Sequence, residues 1–478
     1  MPKLVLTPAE ARLTGLDAEL LVALERYLSI IDPRKEYARR RLGLPPVWIR
    51  LAKRIHSDLI FPTGLWESVE SWLAAKGLRV EVEDRQVYVR PTGRLEELPE
   101  WLYPHQRRAL ATLLERPRGL ICAPTGSGKT VVAAMAARLF GDARVLVIVP
   151  TLDLLDQTVA TFAKLLGERI GSLSGRGHEW QRVSIGTVQT LSAHCDTYAQ
   201  ELAQTQLVIV DECHRASADS YVEVLKACGA SRRIGLSATP NSSNGLDRIL
   251  EGSIGPLLLR IEESEVVSQQ LILRPTVLSL TIPPLKVPAS WRRLRPDPAE
   301  VYRVGIVEND LRNHYVVALL SAFLSSGKKG GLVIVKAIEH GRKLAEAMGR
   351  QGYYVPFIHG SVAKTERQEI IEGLRNGQLA AAIASSILNE GADIPPLRLV
   401  IQAAGGSSPR TAIQQVGRVL RCAPGKDQAL YIEFADQDPL LIRAWRRRLR
   451  ALESRHPGCH RNVGLQEAIA LIQNLDVS

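Results

Sequence analysis

No stretch of the 478 residues approaches the ~18 consecutive apolar positions of a membrane-spanning helix. The opening MPKLVLTPAE has neither an apolar core nor a small-residue cleavage site, so no secretory leader is expected and the chain reads as cytoplasmic. Cysteine is scarce. Cys122, Cys195, Cys213, Cys228, Cys422 and Cys459 show no paired spacing, which argues against a disulfide framework and a zinc ribbon. His456, Cys459 and His460 stand close together but lack a fourth ligand nearby. Acidic residues are the minority, 50 against 61 Lys and Arg. The resulting formal charge of +11 favours a polyanionic partner and says nothing about fold.

What is present is a series of short, continuous apolar runs, among them GLICA (119–123), VLVIV (145–149), LVIV (207–210), RIGLS (233–237) and AAAIA (380–384), each beside a helical or turn segment. Continuous rather than alternating runs belong in parallel sheets covered on both faces. The fold expected is α/β, with two doubly wound parallel-sheet lobes and ligand sites at the carboxyl ends of the strands. Ahead of them, FPTGLWESVESWLAAKGL (61–78) has the spacing of an amphipathic helix ending at Gly77, and RVEVEDRQVYVRP (79–91) alternates like a hairpin. The domains expected are a small α+β accessory domain over 1–95, a first lobe over 100–262, a second lobe over 263–436 and a basic helical tail over 437–478. The proline-rich basic stretch 283–298 reads as a surface loop.

APTGSGKT (123–130) follows an apolar run and opens a helix, the context of a phosphate-binding loop. Pro124, Thr125, Gly126, Ser127 and Gly128 would wrap phosphates with backbone amides, Lys129 would reach the β and γ phosphates, and the Thr130 hydroxyl would ligate Mg²⁺. Ala123 stands where the generic pattern has its first glycine. In LVIVDECH (207–214), Asp211 would hold Mg²⁺ through its water shell and Glu212 would orient and deprotonate the attacking water. His214, with Ser237 and Thr239 of SATP (237–240), would couple this site to motion. Tyr103 and Gln106 of YPHQ (103–106) offer a stacking ring and a donor–acceptor edge for adenine, so ATP is the expected nucleotide. QQVGRVLR (414–421) sets Gln414, Arg418 and Arg421 at helical spacing, aimed toward a neighbouring lobe, where the arginines can neutralise γ-phosphoryl charge. Gly391 and Asp393 in SSILNEGADIP (385–395) form a turn able to touch the nucleotide.

Taken in order, YPHQ, APTGSGKT, VPTLDLLDQ (149–157), IGTVQTL (185–191), DECH, SAT, IHG (358–360), EGADIP and QQVGRVLR resemble the motif series of superfamily-two DNA helicases over residues 100 to 436. Within them the chain is most similar to the UvsW helicases of T-even phages, with XPB and RadD helicases as relatives. That resemblance implies RecA-like lobes and a nucleic-acid track contacted by Pro150, Thr151, Gly186, Thr187, Lys336, His359 and Gly360, gripping backbone rather than reading bases. It further implies remodelling of branched DNA (single-stranded, forked or four-way) in recombination, repair or replication. The setting implied is the nucleoid of a prokaryotic or phage-infected cell, beside recombination or repair proteins. Residues 1–45 and 283–298 have no counterpart in the family pattern. Two other enzyme readings stay open: a duplex-translocating motor of a restriction or defence complex, although no Pro-Asp…Glu-x-Lys nuclease pattern is present, and an RNA helicase. A scaffold that has lost its ATPase would have to explain why Lys129, Asp211, Glu212, Arg418 and Arg421 are all there.

Overall fold

The computed structural model describes residues 1–478 except 33–34, 36–38, 40–42, 216–217, 239–245, 270, 285–296, 386–396, 407, 421, 423–425, 440 and 476–478, and except the side chains at 364, 409, 410, 414 and 418. The chain falls into two compact units: Met1–Pro124 with Gly128–Glu262, and Glu263–Ser478, the loop residues Thr125–Ser127 being grouped with the second. Among the described residues no helix is long and apolar enough to cross a membrane.

The first unit opens with a five-stranded sheet in the order Lys53–Ile55, Asp58–Pro62, Glu10–Thr14, Lys3–Leu6, Glu81–Asp84. Its first strands alternate buried and exposed positions, as in a sheet with one wet face. Helices Ala18–Tyr27, capped by the Asp17 carboxylate at the amide of Leu20 (2.8 Å), and Trp66–Ala74 close over Leu4, Leu13, Phe61, Val69 and Leu73. The hairpin expected over 79–91 does not form. Glu81–Asp84 pairs in parallel with Lys3–Leu6 instead, and the chain beyond it runs onto the lobe, where the Val89 carbonyl accepts from Arg232 at 2.8 Å.

This small sheet is fastened to the lobe that follows. Arg248 donates to the Tyr27 carbonyl (2.9 Å) with its guanidinium over the Tyr27 ring, and Ser68 Oγ donates to Glu251 (3.0 Å). Gly64 of FPTGL lies so near the backbone of Glu251 that a Cβ there would stand 2.0 Å from its carbonyl oxygen. Along this seam is a cavity of about 270 Å³, whose exposed lining includes Arg50, Lys53 and Lys226.

The lobe carries an eight-stranded sheet in the order Gly177–Glu179, Gly171–Ser174, Val183–Thr187, Val145–Val149, Leu207–Asp211, Arg232–Ser237, Arg118–Cys122, Leu257–Arg260. It is parallel apart from the Gly177–Glu179 edge. The five interior strands from Val183–Thr187 to Arg118–Cys122 are buried at every residue, because helices cover both faces.

The second unit is a parallel seven-stranded sheet in the order Phe357–Ile358, Ala381–Ala384, Gly331–Ile334, Leu399–Gln402, Leu430–Asp436, Thr276–Ile282, His460–Val463. The segment read as a helical tail is therefore built into the sheet: helix Leu441–Arg455 leads to a strand paired with Thr276–Ile282, and helix Leu465–Gln473 packs Ala468 and Ile472 into the core. Both units are doubly wound α/β lobes of the RecA-like kind.

Candidate nucleotide site and nucleic-acid track

The order of the first lobe's strands assembles the site. Arg118–Cys122, Arg232–Ser237 and Leu207–Asp211 are neighbours, with Cys122 opposite Ser237 and Asp211 opposite Leu236. Three motifs far apart in sequence thus meet at one carboxyl edge, where ligands of open α/β sheets bind. From Cys122 the chain turns through Gly126 (φ 87°) and Gly128 (φ 80°), both in the left-handed region that a glycine enters without strain, into helix Lys129–Leu139. Lys129 Nζ is held back over its own loop by the carbonyls of Ala123 (3.3 Å) and Pro124 (3.2 Å).

Gln106 is buried against this loop. Its Oε1 accepts from the Tyr103 amide (3.2 Å), and its Nε2 lies where a side chain at 128 would go, 2.3 Å from a Cβ built on Gly128. A side chain at 128 would have to displace the Gln106 amide, and φ 80° there itself favours glycine. The Tyr103 ring is half-buried and stacks on His105 at 5.9 Å.

At the end of Leu207–Asp211 the carboxylates part in role. Asp211 is buried and accepts from the Glu212 amide (2.9 Å). Glu212 adopts φ 48°, an uncommon backbone for a non-glycine residue and of the kind that collects at functional sites. His214 Nδ1 stands 3.1 Å from Ser237 Oγ and 3.2 Å from Glu212 Oε2, so DECH and the serine of SATP are in direct contact. Burial and the neighbouring Glu212 charge push the Asp211 carboxyl up. Burial pushes Glu212 up as well, but the His214 hydrogen bond and the Lys129 charge outweigh it and leave Glu212 below the usual carboxylate range. The two neighbouring carboxyls are thus pushed in opposite directions by their surroundings. A left-handed glycine loop, a lysine, the Thr130 hydroxyl at the helix start, and a buried Asp211 with the half-buried Glu212 at the end of a nearby strand fit a Mg²⁺-bound triphosphate.

The residues assigned to the track lie at carboxyl edges too. Thr187 and Val149 are register partners, and each strand runs into a helix. Thr151 Oγ1 accepts from the Leu154 amide (3.4 Å) and Thr187 Oγ1 from the Thr190 amide (3.4 Å). Gln189 ties the two turns together by donating to the Pro150 carbonyl (3.2 Å). Both threonines are helix caps, a role the sequence reading did not assign them, and they point two helix amino ends the same way. Gly186 packs on Leu191, which a Cβ would meet at 2.9 Å. In the second unit, Lys336 is exposed beyond Gly331–Ile334 with its ammonium 5.3 Å from the centre of the Tyr302 ring. His359 beyond Phe357–Ile358 accepts from the Ser361 amide (3.3 Å), and Gly360 beside it is exposed.

Helix Pro409–Val419 carries positions 414 and 418, whose side chains lie outside the described residues, as do Thr239, Gly391, Asp393 and Arg421. Cys213 is packed in the first lobe's core. His456 and His460 have hydrogen-bonding neighbours: His456 meets Glu263 at 2.6 Å, and His460 meets Ser279 at 3.0 Å. The sequence reading missed the buried ion pairs Arg312–Asp436 (3.1 Å) and Arg448–Glu433 (3.0 Å) among the described residues of the second unit.

Two family models match the chain: "Type III restriction enzyme, res subunit" over residues 101–242, and "Helicase conserved C-terminal domain" over residues 314–423. The chain belongs to the superfamily-two helicases. Putative helicase 22 of Sulfolobus islandicus filamentous virus is 28% identical over 71% of this chain and 64% of its own, so the chain spans less than two thirds of that relative's length. The DNA 3'-5' translocase XPB2 of Sulfurisphaera tokodaii is 26% identical over 77% of this chain and 89% of its own. Among solved structures, the Type ISP restriction-modification enzyme LlaBIII bound to DNA matches 85% of this chain and 36% of that one at 15% identity and a TM-score of 0.60, which supports the fold. T4 UvsW matches 97% of this chain and 99% of that one at 18% identity and a TM-score of 0.45.

Proposed function

We propose that the chain is an ATP-dependent DNA helicase or translocase that remodels branched DNA in recombination, repair or replication, working in the cytoplasm of a prokaryotic or phage-infected cell. The observation that carries this reading is the contact chain Glu212–His214–Ser237 beside the phosphate loop. It ties the base that would activate water to the strand end that leads into SATP. In this reading Lys129 leaves its two carbonyls for the triphosphate, Thr130 and Asp211 hold the magnesium ion, and Glu212 takes the proton of the attacking water. Magnesium, when bound, neutralises phosphate charge as the γ-phosphoryl leaves. Arg418 and Arg421 are assigned the same task on the γ-phosphoryl, Gln414 a place beside them, and Gly391 and Asp393 a contact with the nucleotide.

Thr151 and Thr187 offer amide-rich helix starts to a sugar-phosphate backbone, and Lys336 and His359 add a cation and a donor. Contacts of that type hold one strand without reading its sequence. The exposed cations Arg50, Lys53 and Lys226 along the seam of the accessory domain suit a second DNA arm. DNA rather than RNA is favoured by the DNA 3'-5' translocase named among the relatives.

One panel tests the reading: ATP turnover of the full chain with single-stranded DNA, blunt duplex, fork, four-way junction and RNA of equal length. Forks and junctions are expected to stimulate most and to be remodelled. A second reading, a duplex-translocating motor, is favoured by the restriction-subunit match over 101–242 and by the LlaBIII fold. Full stimulation by blunt duplex with no response to junctions would select it and overturn the first.

A further inference from the structure

Helix Leu441–Arg455 contains six arginines and one acidic residue, Glu453. The structure divides the six. Arg448 is buried and paired with Glu433 (3.0 Å), and Arg455 is paired with Glu263 (3.3 Å). Trp445 donates to Ser279 Oγ (3.1 Å) and Leu452 is buried, which seats this face of the helix on the sheet. The other four, Arg443, Arg446, Arg447 and Arg450, are all exposed, and none makes an ion pair or side-chain hydrogen bond among the described residues. Glu453 sits by His460 at 3.7 Å and pairs with none of them.

The four fall at i, i+3, i+4 and i+7, a single stripe about 10 Å long at 1.5 Å per residue. Like charges at these spacings repel one another on a helix, and among the described residues no carboxylate is ion-paired with any of the four. A helix set rigidly by a buried ion pair thus presents a self-repelling cationic edge, which a polyanion would stabilise. Arginine is also the cation whose planar fork grips a phosphate through two parallel hydrogen bonds. Duplex DNA carries one charge per ~1.7 Å of axis, so several phosphates fall within the length of the stripe.

The stripe is separate from the assigned track. The helix packs on Leu430–Asp436 and Thr276–Ile282, whereas Lys336 and His359 follow strands two and four places away from Leu430–Asp436, roughly 10 and 19 Å at ~4.8 Å per strand.

We propose that Arg443, Arg446, Arg447 and Arg450 form a second phosphodiester-binding surface, gripping the backbone of a duplex arm beyond the motor track. This rests on the chain being a nucleic-acid motor, and the test separates the two. Binding of a 20-base-pair DNA duplex, and of an RNA duplex of the same sequence, is titrated against salt for the full chain, for R443Q/R446Q/R447Q/R450Q, and for the corresponding fourfold Lys variant. In the Gln variant the log–log salt slope should shrink by about 0.9 for each lost phosphate contact, up to about 3.6. Affinity at moderate salt should fall at least about 10-fold, while basal ATP hydrolysis and the melting temperature stay unchanged. The Lys variant should retain most of the slope, because it keeps the charge. A loss confined to the DNA probe assigns the surface to DNA, and an equal loss on both assigns it to phosphodiester backbone in general. A wild-type chain that binds neither duplex overturns the proposal, and one that also fails to bind single-stranded and forked DNA, titrated alongside, contradicts the motor reading itself. A wild type that binds duplex, with a folded Gln variant of unchanged affinity and slope, overturns this proposal alone.

Discussion

The two lobes bury their arginines in different ways. In the first, Arg118, Arg232 and Arg233 donate to backbone carbonyls: Arg118 to Ile254, Arg232 to Val89 and Leu113, and Arg233 to Ala230, Cys228 and Ser253. Burial lowers all three, and for Arg118, with the neighbouring Arg233 charge adding to it, down to about 9. In the second, Arg312 and Arg448 are matched to the buried carboxylates of Asp436 and Glu433. Between residues 100 and 262, the buried acidic side chain among the described residues is Asp211. Neutral carbonyl cages thus hold the first lobe's buried arginines without drawing on Asp211. The second lobe, where the reading puts no buried carboxylate to chemical use, spends its own on fastening helices 310–325 and 441–455 to the strand Leu430–Asp436.

That contrast can be broken by mutation. Glu433→Gln leaves Arg448 buried without a counter-charge and should cost about 3–5 kcal/mol, read as a fall in the urea midpoint of the second lobe. Replacing the pair together, with Glu433→Gln and Arg448→Met, should recover much of that loss. Arg232→Met in the first lobe removes two hydrogen bonds to carbonyls but strands no charge, so about 1–3 kcal/mol is expected. A loss for Arg232→Met equal to or above that of Glu433→Gln would show that the carbonyl cage is no milder a device than the ion pair.

The chemistry at the phosphate loop was legible because it is local. A strand, two glycines in the left-handed region, a lysine and a helix follow one another within residues 118–139. Asp211 and Glu212 were legible because a fully apolar strand ends on them. The buried ion pairs were not, since Arg312 meets Asp436 across 124 positions and only the folded sheet shows that both are dry. The same limit explains the hairpin expected at 79–91. Alternation marks a half-buried strand but not its partner, and Glu81–Asp84 found its partner at the chain start. Gly64 in FPTGL stood in the sequence only as part of the stretch read as an amphipathic helix, while its physical reason is the backbone of Glu251 pressed against it. Thr151 and Thr187 show a related gap: a cap and a phosphate contact call for the same residue type, so the sequence does not separate them.

The central claim is that Glu212 is the base of a nucleic-acid-stimulated ATPase. Steady-state ATP turnover of the wild type and of Glu212→Gln, with and without forked DNA, alongside equilibrium binding of a fluorescent ATP analogue, tests it most directly. The wild type should be stimulated by the fork, and the Gln variant should bind nucleotide as tightly yet turn over about 10² to 10⁴-fold more slowly with or without DNA. Turnover of Glu212→Gln near the wild-type rate would contradict the account.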